Sequence, residues 1–147
     1  NSDQAMSVVS KTTQDKYQLS IWAGMHSWET VDLNNDNLKD FVALIKDSKN
    51  KKSENPPTHI LIIHGQKNEK DFSLSKDQVI IPLNSGTPSD AEDSFTVVTQ
   101  KTNKAIFKTI GCASSSAIKL TEEASTAFYL CWKKNKYEFL RDPEDTP

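Results

Sequence analysis

The sequence predicts an α+β fold in which an antiparallel β-sheet is flanked by helices. Short β-rich runs separated by polar turns recur along the chain. Two stretches carry apolar residues at helical spacing. The 147 residues, 35% hydrophobic and 26% charged, suffice for one core and are too few for two ordinary domains. Residues 1–147 are therefore expected to form a single domain.

Residues 5–11 and 17–23 read as two strands of a hairpin joined by the polar residues 12–16. Alternation in the second run places Tyr17, Leu19 and Ile21 on one face and Gln18, Ser20 and Trp22 on the other. Leu38, Phe41, Val42 and Ile45 then recur at i, i+3, i+4 and i+7, which predicts a helix over 34–46 with Asp32 to Asn35 as N-cap candidates. Residues 47–57, rich in Lys, Ser and Asn and closed by Pro56-Pro57, read as a flexible surface loop. Strands are expected at 59–64, 71–75 and 78–83, followed by a second flexible loop at 84–93. Residues 94–100 and 105–110 read as a hairpin whose turn, 101–104, lets Asn103 take a left-handed conformation. The last element is a helix at 121–134. Leu120, Ala124, Ala127, Phe128 and Cys131 form its apolar stripe, and Glu122 and Glu123 favour its first turn. The tail 141–147 is expected to fray.

Composition excludes several functions. No run approaches the roughly 20 apolar residues of a membrane-spanning helix, and the polar start Asn1-Ser2-Asp3-Gln4 has no signal-like region. A cytoplasmic protein is the resulting expectation. A formal net charge of −2 provides no basic field for nucleic acid. Cys112 and Cys131 form no Cys-x-x-Cys clip, so both are expected to be reduced thiols, one in a loop and one on a helix. His59 and His64 fall on opposite faces of their strand, which argues against a shared metal site, and His26 stands apart. There is no nucleophile elbow and no phosphate-cradling glycine loop. Neither catalysis, a cofactor nor a metal is expected.

The segments Ile21-Trp22-Ala23, Gly65-Gln66-Lys67 and Lys101-Thr102, with the expected helices 34–46 and 121–134, fall in an order that resembles the profilin family. The resemblance covers most of residues 5–134. It implies a profilin-like sheet and a monomeric cytoskeletal protein that binds monomeric actin and regulates its polymerisation. The positions corresponding to the family's actin-facing surface are Lys67, Lys70, Phe72, Lys101, Ser116, Ile118, Thr121 and Glu122. Helical spacing at 121–134 would turn Tyr129 away from the apolar stripe and set Trp132 at its flank. With Trp22 and Tyr137 these aromatics correspond to the family's polyproline platform, or they pack on each other as a satellite cluster. Only a few polar residues precede the first expected strand, where the family has an aromatic-bearing helix, so the implied polyproline binding is weak. Lys49, Lys51 and Lys52, or Lys133, Lys134 and Lys136, offer charge for phosphoinositide head groups. The alternative is a phosphoinositide- or peptide-binding module of the pleckstrin-homology type, distinguished by whether a helix interrupts the strands at 34–46.

Overall fold

The structure, a computed structural model, describes residues 1–21, 26–49, 57–83, 91–122 and 127–142, with the backbone alone for 91–94 and 122. The elements in order are α1 (Ser2–Thr13), β1 (Tyr17–Leu19), β2 (Trp28–Val31), β3 (Asp40–Asp47), β4 (His59–Ile63) and β5 (Gln78–Pro82). Then follow β6 (Ala91–Thr99), α2 (Lys104–Ile110), β7 (Ser116–Glu122), β8 (Ala127–Lys133) and β9 (Lys136–Arg141), and a 3-10 turn at Phe72–Leu74 precedes β5.

These elements form two antiparallel sheets. In the first, β3 pairs along one edge with β1 at its C-terminal end and β2 at its N-terminal end, and along the other edge with β4, which pairs with β5. The second is the sequential sheet β6-β7-β8-β9. Lys134 and Asn135, both at positive φ, make the two-residue turn between β8 and β9. That backbone matches the right-handed twist of a hairpin.

Alternation sorts the apolar side chains into layers. Val42, Leu44, Ile60 and Ile62 from the first sheet meet Phe95, Ile118, Leu120 and Leu130 from the second in a central core. Phe41, Ala43, Ile45, Leu61 and Ile63 point the other way and pack against Ala5 and Val9 of α1. On the far side of the second sheet, Ala117, Ala127, Tyr129 and Cys131 pack against Phe107 and Ile110 of α2. The order is helix, sheet, sheet, helix.

The α+β class is observed, but with two facing sheets, and several expected elements change type. Residues 5–11 lie in a helix. Asn1 caps α1 by accepting from the Gln4 N–H at 3.0 Å, its amino group meets the Gln4 side chain, and Ala5 and Val9 bury one helical stripe. The expected helix 34–46 is a turn followed by β3. Phe41 to Ile45 are all buried, and a continuous apolar run satisfies a helical stripe as well as a strand covered on both faces. The expected helix 121–134 is divided between the end of β7 and β8, with 123–126 outside the described residues. The expected strand 105–110 is α2, with Phe107 and Ile110 buried three residues apart and Gly111, at φ 75°, ending it. Asn103 is the N-cap residue at φ −133°, not a left-handed turn residue, and β6 pairs with β7. Of the expected loops, 50–56 and 84–90 lie outside the described residues, whereas Ala91 begins a strand. Arg141 of the expected frayed tail pairs with Phe128, and 143–147 are not described.

Cys112 and Cys131, expected to be reduced, form a disulfide across 19 residues of sequence. Cys131 lies on β8 rather than a helix, and the chain leaving α2 brings Cys112 over the face to which Cys131 points. Both residues are buried.

Because Leu44 has no exposed surface in the layer between the sheets, Leu44→Ala should lower unfolding free energy by about 2–5 kcal/mol. Urea denaturation checks this, and a loss below about 1 kcal/mol would mean that the sheets do not pack on this residue.

Candidate functional site

The turn between β2 and β3 concentrates oxygen atoms. From Asp32 to Asp40 it reads Asp-Leu-Asn-Asn-Asp-Asn-Leu-Lys-Asp. That spacing places Asp32, Asn34, Asp36, Leu38 and Asp40 at positions 1, 3, 5, 7 and 9 of a calcium-binding loop, in which position 7 supplies a backbone carbonyl and position 6 turns sharply, normally at glycine. Here position 6 is Asn37, at φ 66°. Asp32 accepts from the Asp36 N–H at 3.3 Å and the Asn37 N–H at 2.8 Å, and Asp36 accepts from the Leu38 N–H at 3.0 Å. The Asn34 side-chain amide lies between the two carboxylates, its NH2 donating to Asp32 Oδ1 at 3.1 Å and to the Asp36 oxygens at 2.9 and 3.3 Å. This closes the loop on itself; turned over, the amide would set its oxygen beside the same carboxylates, the arrangement a bound cation requires.

Asp40 does not join this group. It is buried at the start of β3, where Oδ2 accepts from the Leu33 N–H at 2.8 Å and Oδ1 from the Gly65 N–H at 2.9 Å. Burial pushes its pKa up, an effect partly offset by those two N–H groups and by His64. Among the described residues, no three His, Cys, Asp or Glu side chains gather to hold a metal. The loop's side-chain donor set is therefore two carboxylates and an amide. Such a set suits a hard cation that retains water, since calcium takes six to eight oxygens.

A second polar group lies between the sheets near Asp40. His64 Nδ1 is 3.0 Å from Asp77, and Nε2 is 2.7 Å from the Tyr137 hydroxyl. Burial, followed by the fields of Asp40, Asp77, Asp36 and Asp32, drives the Tyr137 pKa well above its usual value. The phenol thus keeps its proton, and the His64 ring bridges it to Asp77, with donor and acceptor set by the ring's tautomer. Trp132 closes the group, edge-on to His64 and Tyr137 with ring centroids at 5.5 and 4.8 Å. This arrangement resembles a catalytic relay in connectivity alone, because its terminal hydroxyl is a half-buried, protonated phenol rather than an activated nucleophile.

The residues singled out from sequence scatter. Of the polyproline set, Trp132 and Tyr137 touch, Trp22 is outside the described residues, and Tyr129 is buried beneath α2. Strand alternation, not helical rotation, separates Tyr129 from Trp132: an odd offset on β8 sends them to opposite faces. Of the actin set, Lys67, Lys70 and Lys101 are exposed, Phe72 packs on Phe41, Ser116 and Ile118 are buried, and Thr121 and Glu122 end a strand. His59 contacts Tyr17 at 4.9 Å on the α1 side, opposite His64. His26 is 3.5 Å from Glu29 at the surface.

Lys70 and Phe72 also line a groove of about 400 Å³ between α1 and the first sheet, floored by Trp28 stacked at 6.3 Å on Phe41. Its rim pairs Lys70 with Asp71, a balance that selects no charge class. Sequence reasoning missed the 32–40 loop. Its signal, the alternate Asp, Asn and Asp, coincides with a choice of helix caps, because the apolar run that follows also fits helical spacing.

Gly65 fits against the Lys39 carbonyl where no Cβ has room. Gly65→Ala must shift the backbone and lengthen the bond to Asp40, which should cost about 1–3 kcal/mol in urea unfolding. An unchanged midpoint would show that Asp40 does not depend on this approach. In a carboxyl-carbon NMR titration, Asp40 should titrate above 3.8, the ordinary carboxylate value. With the folded pKa above the unfolded one, the stability this group contributes is present in full below the unfolded value and is lost as pH rises through the folded one. A midpoint at or below the ordinary value would mean that the two N–H donors outweigh burial. No family model, curated protein or solved structure matches this chain.

Proposed function

We propose that this domain is a non-catalytic, calcium-binding module that works in an oxidising compartment. The observation that carries the reading is the alternation of Asp32, Asn34 and Asp36 in a loop of calcium-binding spacing that turns sharply at Asn37, φ 66°. Asp40 is committed to backbone donors, and Ala43 stands at position 12, where tight loops carry a bidentate Glu. Affinity should therefore be in the range of about 0.1–1 mM that extracellular calcium modules use. The buried Cys112–Cys131 disulfide supports the same setting, since structural disulfides persist where thiols are not kept reduced.

Actin-monomer binding, with its polyproline and phosphoinositide activities, has less support. The two helices on which the resemblance leaned are occupied by strands, and Ser116 and Ile118 are buried. The pleckstrin-homology alternative meets one expectation, since no helix interrupts the strands at 34–46, but it needs a closing helix where β8 and β9 run.

Calcium chloride titrated into the protein should shift the amide resonances of 32–40 and saturate in the millimolar range, with magnesium weaker. At about ten times Kd, calcium should add about 1.4 kcal/mol to the unfolding free energy. Asp36→Asn should weaken calcium at least about tenfold, whereas Asp77→Asn, outside the loop, should not. Absence of shifts at 10-fold the expected Kd, about 10 mM, would sink the proposal and favour the loop closed by its own amide.

A further inference from the structure

Resting on the calcium reading, we propose that the 32–40 loop is a cation-controlled clasp between the two sheets, with Asn35 as its hook. Asn35 lies between Asn34 and Asp36, so the two side chains that would share the cation bracket its backbone. Its φ of 60° is left-handed, a conformation that asparagine tolerates better than most residues. The Asn35 side chain points out of the loop. Its Oδ1 accepts from both the Ser115 N–H and the Ser115 hydroxyl at 3.0 Å, a link between residues 80 apart in sequence.

The two ends of this link differ in how firmly they are held. Around Ser115, its carbonyl accepts from the Gln100 N–H at 2.9 Å, Ser114 donates to the Trp132 carbonyl at 3.0 Å, and the nearby disulfide joins Cys112 to β8. The Ser115 end is thus anchored to β6 and β8. At the Asn35 end the side chain is exposed, and the loop's internal bonds gather like charges at Asp32 and Asp36. Repulsion between those carboxylates opposes the turn that presents Asn35, and a divalent cation between them removes it. Occupancy would then hold Asn35 in place against Ser115. Loss of the cation would release one tie between the first and second sheets, while Asp40 keeps the loop base joined to Gly65.

Amide hydrogen exchange on the full chain, with and without calcium chloride, tests this because the Ser115 N–H is itself the donor. Its exchange should slow about tenfold or more at saturating calcium, as expected when local opening is suppressed. Asn35→Gly keeps the left-handed backbone but removes the hook. It should bind calcium within about threefold of the parent and lose the calcium-dependent protection of Ser115. Asn35→Asp keeps an acceptor oxygen and should restore that protection. Calcium binding with Ser115 exchange unchanged would overturn the clasp and leave the calcium reading standing. Absence of calcium binding would overturn both.

Discussion

Burial of β3 on all sides is the constraint on which the rest of the molecule depends. Its odd-numbered apolar residues pack beneath α1 and its even-numbered ones fill the space between the sheets, while β1, β2 and β4 take up its two edges. A strand in that position must have every backbone polar group paired, and its central side chains, Phe41 to Ile45, are apolar on both faces. The order of layers follows. One face selects a short amphipathic helix, and the other selects a second sheet with its own inward row of Ile118, Leu120 and Leu130.

The polar residues at the start of β3 show the cost of that arrangement. Asp40 enters the buried strand as a carboxylate and is accommodated by two backbone donors, one of which requires Gly65 to sit against Lys39 without a side chain. His64, one residue before Gly65, carries the network on to Asp77 and to Tyr137 of the second sheet. A buried hydrogen-bond chain of this kind fixes how two apolar faces register, which dispersion and area alone do not specify. The proposed calcium loop begins where the network ends, so a surface turn and an interior junction share the segment from Asp32 to Asp40.

The disulfide ties down the other end of the second sheet. Cys112 follows the Gly111 cap of α2, and Cys131 lies on β8 among the residues that face α2. A seven-residue helix has little stability of its own. Its position is set by Phe107 and Ile110 in the sheet and by the covalent bond just beyond its end. The same tether leaves Ser114 bonded to the Trp132 carbonyl of β8 and Ser115 placed to meet the β2–β3 turn.

By itself the sequence determined the α+β class and the strands at 59–64 and 78–83. In those runs branched apolar residues are bounded by turn formers, so local preference and burial agree. It also placed His59 and His64 on opposite faces, because strand alternation is a local rule. Tertiary structure decided the type of the other long elements. Phe41 to Ile45 and Ala127 to Cys131 are apolar enough to satisfy either periodicity, and only a partner on each face makes them strands. Residues 105–110 favour a strand by composition, yet two buried side chains three apart and a glycine stop make them a helix. Cys112 and Cys131 became neighbours through the same choice, since only β8, as a strand passing under α2, brings Cys131 there. The Asp32–Asp40 spacing was legible throughout. Its meaning depended on whether a helix or a strand followed, and that was settled by packing far from the loop in sequence.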